Sequence, residues 1–210
     1  MKSVSTERVY MMRIGCWKQI AYLVILIQMI QSIREMQESD IQLIAEYFSN
    51  AKPNFLKKMG IDPKKVLPKE KRKNSLKKEF HRNIEKRKSF CLIWLLDNEP
   101  IGHTIINKIL FGKEAYMHLH IWYPENRQQG FGEQFLKDSI PYFFDYYKLK
   151  NLYCQPYSLN PAPNKTLIKL GFKFNKSYET VPAPVCFKQI VNQYVLTESD
   201  FKKHYSTLPT

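Results

Sequence analysis

Cysteine is scarce in this chain: Cys16, Cys91, Cys154 and Cys186 lie far apart and form no C-x-x-C pair. That spacing excludes a disulfide framework and a zinc ribbon, and it predicts a reducing, cytoplasmic setting. The five histidines lack zinc-ligand spacing with cysteine or carboxylate partners, so no metal is expected. Long apolar runs are also missing. The run over residues 20–30 is eleven residues, interrupted by Gln28, whereas a membrane span takes about twenty. Acids are few, 19 against 33 Lys and Arg, and the formal charge of +14 predicts solubility and anionic partners. No internal repeat is present. What the chain does have is 44% hydrophobic and 14% aromatic residues over 210 positions, enough for one well-buried domain and too much for disorder.

The most informative stretch is 115–137, AYMHLHIWYPENRQQGFGEQFLK. Its first part alternates as a strand, and apolar spacing over 133–144 predicts a helix, with a kink at Pro141. A strand therefore feeds a helix that starts at Arg127-Gln128-Gln129-Gly130-Phe131-Gly132. Such a junction aims unpaired N–H groups and the positive end of a helix dipole at one spot, which suits a pyrophosphate. Gly130 and Gly132 would let that anion approach the backbone while Phe131 turns into the core. About thirty residues on comes Asn160-Pro161-Ala162-Pro163-Asn164-Lys165-Thr166-Leu167-Ile168-Lys169-Leu170-Gly171-Phe172.

Together these two stretches resemble the GNAT superfamily of acetyl-CoA-dependent N-acetyltransferases, in pattern the type that acetylates ribosomal proteins. Asn160, Lys169, Gly171 and Phe172 stand in register with the family's second motif, whereas Pro163 replaces a common serine. The resemblance implies an α+β GNAT fold, a mixed, mainly antiparallel central sheet with helices on both faces. It also implies acetyl-CoA as co-substrate and direct transfer of the acetyl group to a primary amine, on a small molecule or a protein. Carried over residue by residue, the cofactor-binding set is the backbone of Ile121, Trp122 and Tyr123, then Arg127, Gln128, Gln129, Gly130, Phe131 and Gly132 for pyrophosphate. Asn160, Asn164 and Lys165 would lie along pantetheine.

Acetyl transfer to an alkylamine, pKa about 10.4, needs a base to take its proton. Alternation places Tyr116, His118, His120 and Trp122 on one face of the strand and Met117, Leu119 and Ile121 on the other. His118 is the first candidate base, His120 the second, and His103 on the neighbouring strand a weaker one; the bland alternative is that all are packed histidines. Where relatives carry a tyrosine acid, this chain has Leu167, so either the thiolate leaves without a dedicated acid or Tyr157 or Cys154 protonates it. The resemblance puts the oxyanion donor at a backbone N–H near Ile121 and Trp122.

The rest of the chain fits the same order. Helical spacing starts near Asp40 and runs through Ile41, Ile44 and Phe48; 51–69 reads as loop and 71–88 as a second helix. Residues 90–96 and 101–110 form a hairpin, 151–157 a strand, 161–170 a helix, 172–174 the start of a strand and 189–196 the last one. Residues 57–88 hold fourteen Lys and Arg against four acids, a net of +10. This is either a solvated helix face or a polyanion contact, for RNA, a ribosome or an acidic substrate. A CoA-binding module without catalysis is a further alternative, and an open sheet edge or the N-terminal apolar run could support a homodimer. Residues 1–31 read as an extension, their apolar run as a buried or partner-facing helix, and 32–205 as the catalytic domain. Deleting residues 1–28 is expected to leave folding and CoA binding intact, as checked by thermal melting and calorimetric titration; loss of either would make the extension structural.

Overall fold

A computed structural model describes residues 6–10 and 27–205. Eight strands form one sheet: β1 (Thr6–Tyr10), β2 (Ile27–Glu35), β3 (Ser89–Leu96), β4 (Glu99–Leu110), β5 (Glu114–Ile121), β6 (Asn151–Cys154), β7 (Lys173–Thr180) and β8 (Gln189–Thr197). Their order across the sheet is β1-β2-β3-β4-β5-β6-β8-β7, and every neighbouring pair is antiparallel except β5 with β6. The helices are α1 (Asp40–Ser49), α2 (Pro53–Lys58), α3 (Lys69–Phe80), α4 (Phe131–Tyr147), α5 (Pro161–Lys169) and α6 (Glu198–Tyr205).

The sheet has a core on each face. β3, SFCLIWLL, is buried along almost its whole length, as expected of a strand covered on both sides. Leu92 and Trp94 face α4, where the indole stacks on Phe135 at 5.0 Å, while Cys91, Ile93 and Leu95 face α1 and α2. On β5, Ala115, Met117, Leu119 and Ile121 meet the α4 side and Trp122 the opposite core, so the two-residue alternation read from the sequence holds. α4 buries Phe131, Phe135, Ile140, Phe143 and Tyr147.

Several elements differ from the sequence reading. α4 runs through Pro141 as one helix of 17 residues. The predicted helix 71–88 is shorter: α3 ends at Phe80, and Asn83 restarts the chain as a 3-10 turn by accepting from the Glu85 amide. Within 51–69, read as loop, Pro53 opens the short α2; proline suits a first helical turn because its missing N–H is not needed there. β6 stops at Cys154 instead of continuing to 157, and α6 was not anticipated. The helix expected over 20–30 is not seen where the chain is described: residues 27–30 are strand, and 20–26 lie outside the described residues. β2 begins at Ile27 and so crosses the boundary set between 31 and 32, and β1 pairs with it. A cut after 28 would remove the first two residues of β2.

Gly102 marks the tightest approach in the sheet. A Cβ there would stand 2.6 Å from the His120 carbonyl oxygen and 3.1 Å from the Trp94 ring. Because the first of these neighbours is backbone, Gly102→Val is expected to cost about 1–3 kcal/mol, read as a lower urea midpoint at unchanged slope.

Candidate active site

β5 and β6 run parallel only from Glu114↔Asn151 to Met117↔Cys154. β5 then continues to Ile121, whereas the chain beyond Cys154 turns to β8, with the Pro156 carbonyl accepting from the Asn192 amide and the Ser158 amide donating to the Ile190 carbonyl. The two strands therefore part, leaving His118–Ile121 without a strand on that side. The Trp122 amide is committed to the Ile101 carbonyl at 2.9 Å, so of the two expected oxyanion donors only Ile121 remains; alternation turns its N–H away from β4, toward the opening.

The first turn of α4 closes one end of the gap. Gln128 and Gly130 both have positive φ, 61° and 82°, the left-handed conformation that recurs in anion-binding backbone nests. A Cβ on Gly130 would meet nothing within 4 Å, so the space beside the helix start is open; on Gly132 it would touch Ile121 Cδ1 at 3.7 Å. Phe131 is buried, as expected. Gln128, Gln129 and Tyr123 are exposed. Arg127 braces the loop: Nε donates to the Ile121 carbonyl at 3.1 Å, Nη2 to the Trp122 carbonyl at 2.9 Å, and the guanidinium lies 3.9 Å over the Phe55 ring. This open helix start, with its amides and dipole, fits an anionic pyrophosphate.

On the other face of β5 the histidines lie in a polar seam beneath α1 and α2. Trp122 Nε1 donates to His103 Nδ1 at 2.7 Å; since indole can only donate, that nitrogen must be the acceptor and the His103 proton sits on Nε2. His103 stacks on His120 at 4.9 Å, and the Tyr47 hydroxyl stands 3.5 Å from His120 Nδ1. His118 Nε2 is 3.1 Å from the Asn107 amide nitrogen. Burial holds all three rings neutral: it pushes His118 down to about 4 with help from the Lys108 charge, and His103 to about 3 with help from Arg72 and His118. His120 is driven well below its usual range by burial and then by His103, His118 and Arg72.

α5 forms the opposite wall. Asn164 is saturated internally: its amide nitrogen donates to the Tyr157 and Asn160 carbonyls, and its oxygen accepts from Asn192 and the Tyr194 hydroxyl. It ties α5 to β8. Asn160 precedes α5 with its side chain uncommitted to capping, and Lys165 is exposed. Lys169 pairs with Glu133 of α4 at 2.9 Å. Leu167 is fully buried. Cys154 points its thiol at the Met117 carbonyl, and burial raises it to about 12, so it holds its proton too firmly to serve as a ready acid. Tyr157 is half-buried, edge-on to Phe187, and its hydroxyl has no hydrogen-bond partner among the described residues.

Tyr47, Phe48, Phe55, Arg72 and Asn107 belong to this site but were not read from the sequence. Tyr47 and Phe48 follow ordinary helical spacing, Phe55 lies in a stretch whose prolines suggest a loop, and Arg72 and Asn107 sit among many polar neighbours, so only the packing distinguishes them. Among the described residues no three His, Cys, Asp or Glu side chains cluster as metal ligands, and no helix is long and apolar enough to cross a membrane.

A family model described as the acetyltransferase (GNAT) domain matches residues 32–173. No curated protein sequence matches. Among solved structures, a spermidine N-acetyltransferase from Vibrio cholerae in complex with CoA and spermine aligns at TM-score 0.67 and 17% identity, over 81% of this chain and 97% of its own. RimL, a ribosomal L7/L12 alpha-N-protein acetyltransferase in complex with CoA, aligns at 0.65 and 16% over 80% and 93%. An uncharacterized protein from Bacillus halodurans aligns at 0.63 and 14% over 86% and 90%. At these identities the structural likeness shows the fold.

The depressed histidines set a pH dependence. Between pH about 6.5 and about 4 the unfolded chain binds protons that the folded chain refuses, so stability falls as pH drops through that window and is fully present above it. Asp138, which burial raises to about 6, acts with the opposite sign over the same window, so the test is a comparison. From pH 7 to 4 the urea midpoint is expected to decline less in His118→Asn than in wild type, and identical profiles would mean that the His118 ring titrates normally.

Proposed function

The chain belongs to the GNAT acetyltransferase family, and from that premise we propose that it moves the acetyl group of acetyl-CoA to a primary amine. The observation that supports this best is the conjunction of the β5–β6 opening with the open, glycine-bearing start of α4. Bound acetyl-CoA would supply an activated acyl group as a thioester. The loop Arg127–Gly132 would hold its pyrophosphate, with Arg127 acting as the brace of that loop and the amides as the donors. The backbone of Ile121 to Tyr123 would run along pantetheine, and Asn160 and Lys165 would flank it. Asn164 supports this wall without a free polar atom to offer.

On the acceptor side, an amine of pKa about 10.4 must be deprotonated before it attacks. His118 is the base in this reading and His120 the second, reached through water. Their low proton affinity keeps the rings in the basic form at neutral pH, at the cost of driving force. Ile121 N–H would donate to the carbonyl oxygen as charge develops on it. The Tyr157 hydroxyl is the acid, since Leu167 cannot donate and Cys154 is sealed. The cytoplasm is the setting that suits its co-substrate.

A second reading, a CoA-binding module without turnover, draws on the burial of Leu167 where relatives carry an acid. One experiment separates the two: calorimetric titration with acetyl-CoA, then free-thiol release over a panel of amines. Gly130→Trp is expected to weaken acetyl-CoA binding by about 100-fold or more, because the indole fills the anion cradle. His118→Ala is expected to leave binding intact and lower kcat by about 100-fold or more. Binding without thiol release on any amine would establish the non-catalytic module; no binding at all would remove the acetyltransferase reading.

A further inference from the structure

We propose that the acceptor is an acidic polypeptide, drawn to the site by the cationic face of α2 and α3 and read at its inner end by Arg72. The proposal rests on the acetyltransferase reading and narrows its substrate class. Lys57 and Lys58 of α2, Lys64 in the following turn, Lys71 and Lys78 of α3, and Lys86 and Lys88 beyond it are all exposed, and none of their ammonium groups has a carboxylate partner among the described residues. Four of the acids nearby are already engaged, Glu46 with Lys69, Glu70 with Lys73, Glu38 with Lys77 and Glu79 with Arg82, and the exposed Glu85 offsets one charge beside Lys86. Lys71 and Lys78 are seven residues apart and so share one face of α3. The segment thus keeps an uncompensated positive field beside the helices that cover the histidine seam.

Arg72 carries that charge inward. Its guanidinium lies 4.1 Å over the Phe48 ring, which in turn meets His120 at 5.1 Å. Nε and Nη2 are both buried without a hydrogen-bond partner, and burial lowers the affinity of the group for its proton. These two nitrogens form one edge of the guanidinium, the edge with which Arg127 grips two carbonyls. A complete, unpaired fork of parallel N–H groups matches a carboxylate. An acceptor carboxylate that draws Arg72 off Phe48 would relieve a costly unpaired charge. RNA is the less favoured partner because Phe80 is the one aromatic residue within α3, so stacking platforms are lacking.

The test uses two peptides of equal length, one with Asp and Glu following its N-terminal amine and one with Asn and Gln in their places. Binding is read by fluorescence anisotropy and acetylation by thiol release, at about 20 mM and about 300 mM salt. Wild type is expected to bind the acidic peptide and show KM about tenfold lower for it at low salt, a gap that closes at high salt. Lys71→Glu with Lys78→Glu should abolish the gap. Arg72→Gln should raise KM several-fold more for the acidic peptide than for the neutral one, and Arg72→Lys, which keeps charge but loses the fork, should not restore the difference. Thermal melting and acetyl-CoA titration of each variant separate misfolding and loss of the co-substrate from loss of acceptor recognition. Equal affinity and KM for the two peptides in wild type would overturn the proposal, as would a double reversal that weakens single-stranded RNA binding while leaving the acidic peptide untouched.

Discussion

The parting of β5 from β6 is the constraint on which the rest of the site depends. A parallel pair needs amides on both strands to continue its ladder, and two residues past the end of β6 the chain reaches Pro156, which has none to give. The Asn192 amide captures the Pro156 carbonyl instead, so the chain follows β8 while β5 runs on alone. Everything that resembles a binding site is placed by that divergence: the exposed edge of β5 between the strands, α4 starting at one end of the opening, and α5 held along the other side by the four hydrogen bonds of Asn164.

The two faces of β5 then take different work. The side toward α4 is apolar, with Met117, Leu119 and Ile121 in one core with Phe131 and Phe135, and it seats the helix start that would hold an anion. The other side buries polar rings, which is costly unless each proton has a place. Trp122 orients His103, Asn107 stands against His118, and Tyr47 approaches His120. Two guanidinium groups on phenylalanine rings border this seam. Arg127 on Phe55 is spent on backbone carbonyls, and Arg72 on Phe48 is not, so similar stacking serves structure in one case and leaves recognition capacity in the other.

Much of this was legible in the sequence because it depends on short-range periodicity. Alternation over 115–122 assigned both faces of β5 correctly, whereas the helix expected from Arg127 starts at Phe131, because positive φ at Gln128 and Gly130 keeps the residues before it in a loop. What failed was local punctuation. Pro53 suggests a loop and instead opens a helix, and the lysine-rich pattern continues past a break that Asn83 imposes by capping its own turn. The continuity of α4 through Pro141 shows that packing of Ile140, Phe143 and Phe144 outweighs one lost helical hydrogen bond.

The sequence by itself determined the order of elements from β3 to β8, the aromatic and apolar stripes of the core, the two family motifs and the surplus of positive charge. Each is a property of neighbours along the chain. Only the tertiary structure decided which polar atoms are spent and which are left, because contacts such as Asn164 to Tyr194 or Arg127 over Phe55 join positions whose proximity no local pattern encodes. Hence Asn164 became a strut and Arg127 a brace, while Arg72, one cation among fourteen in its segment, became the one with both nitrogens of its fork buried and unpaired.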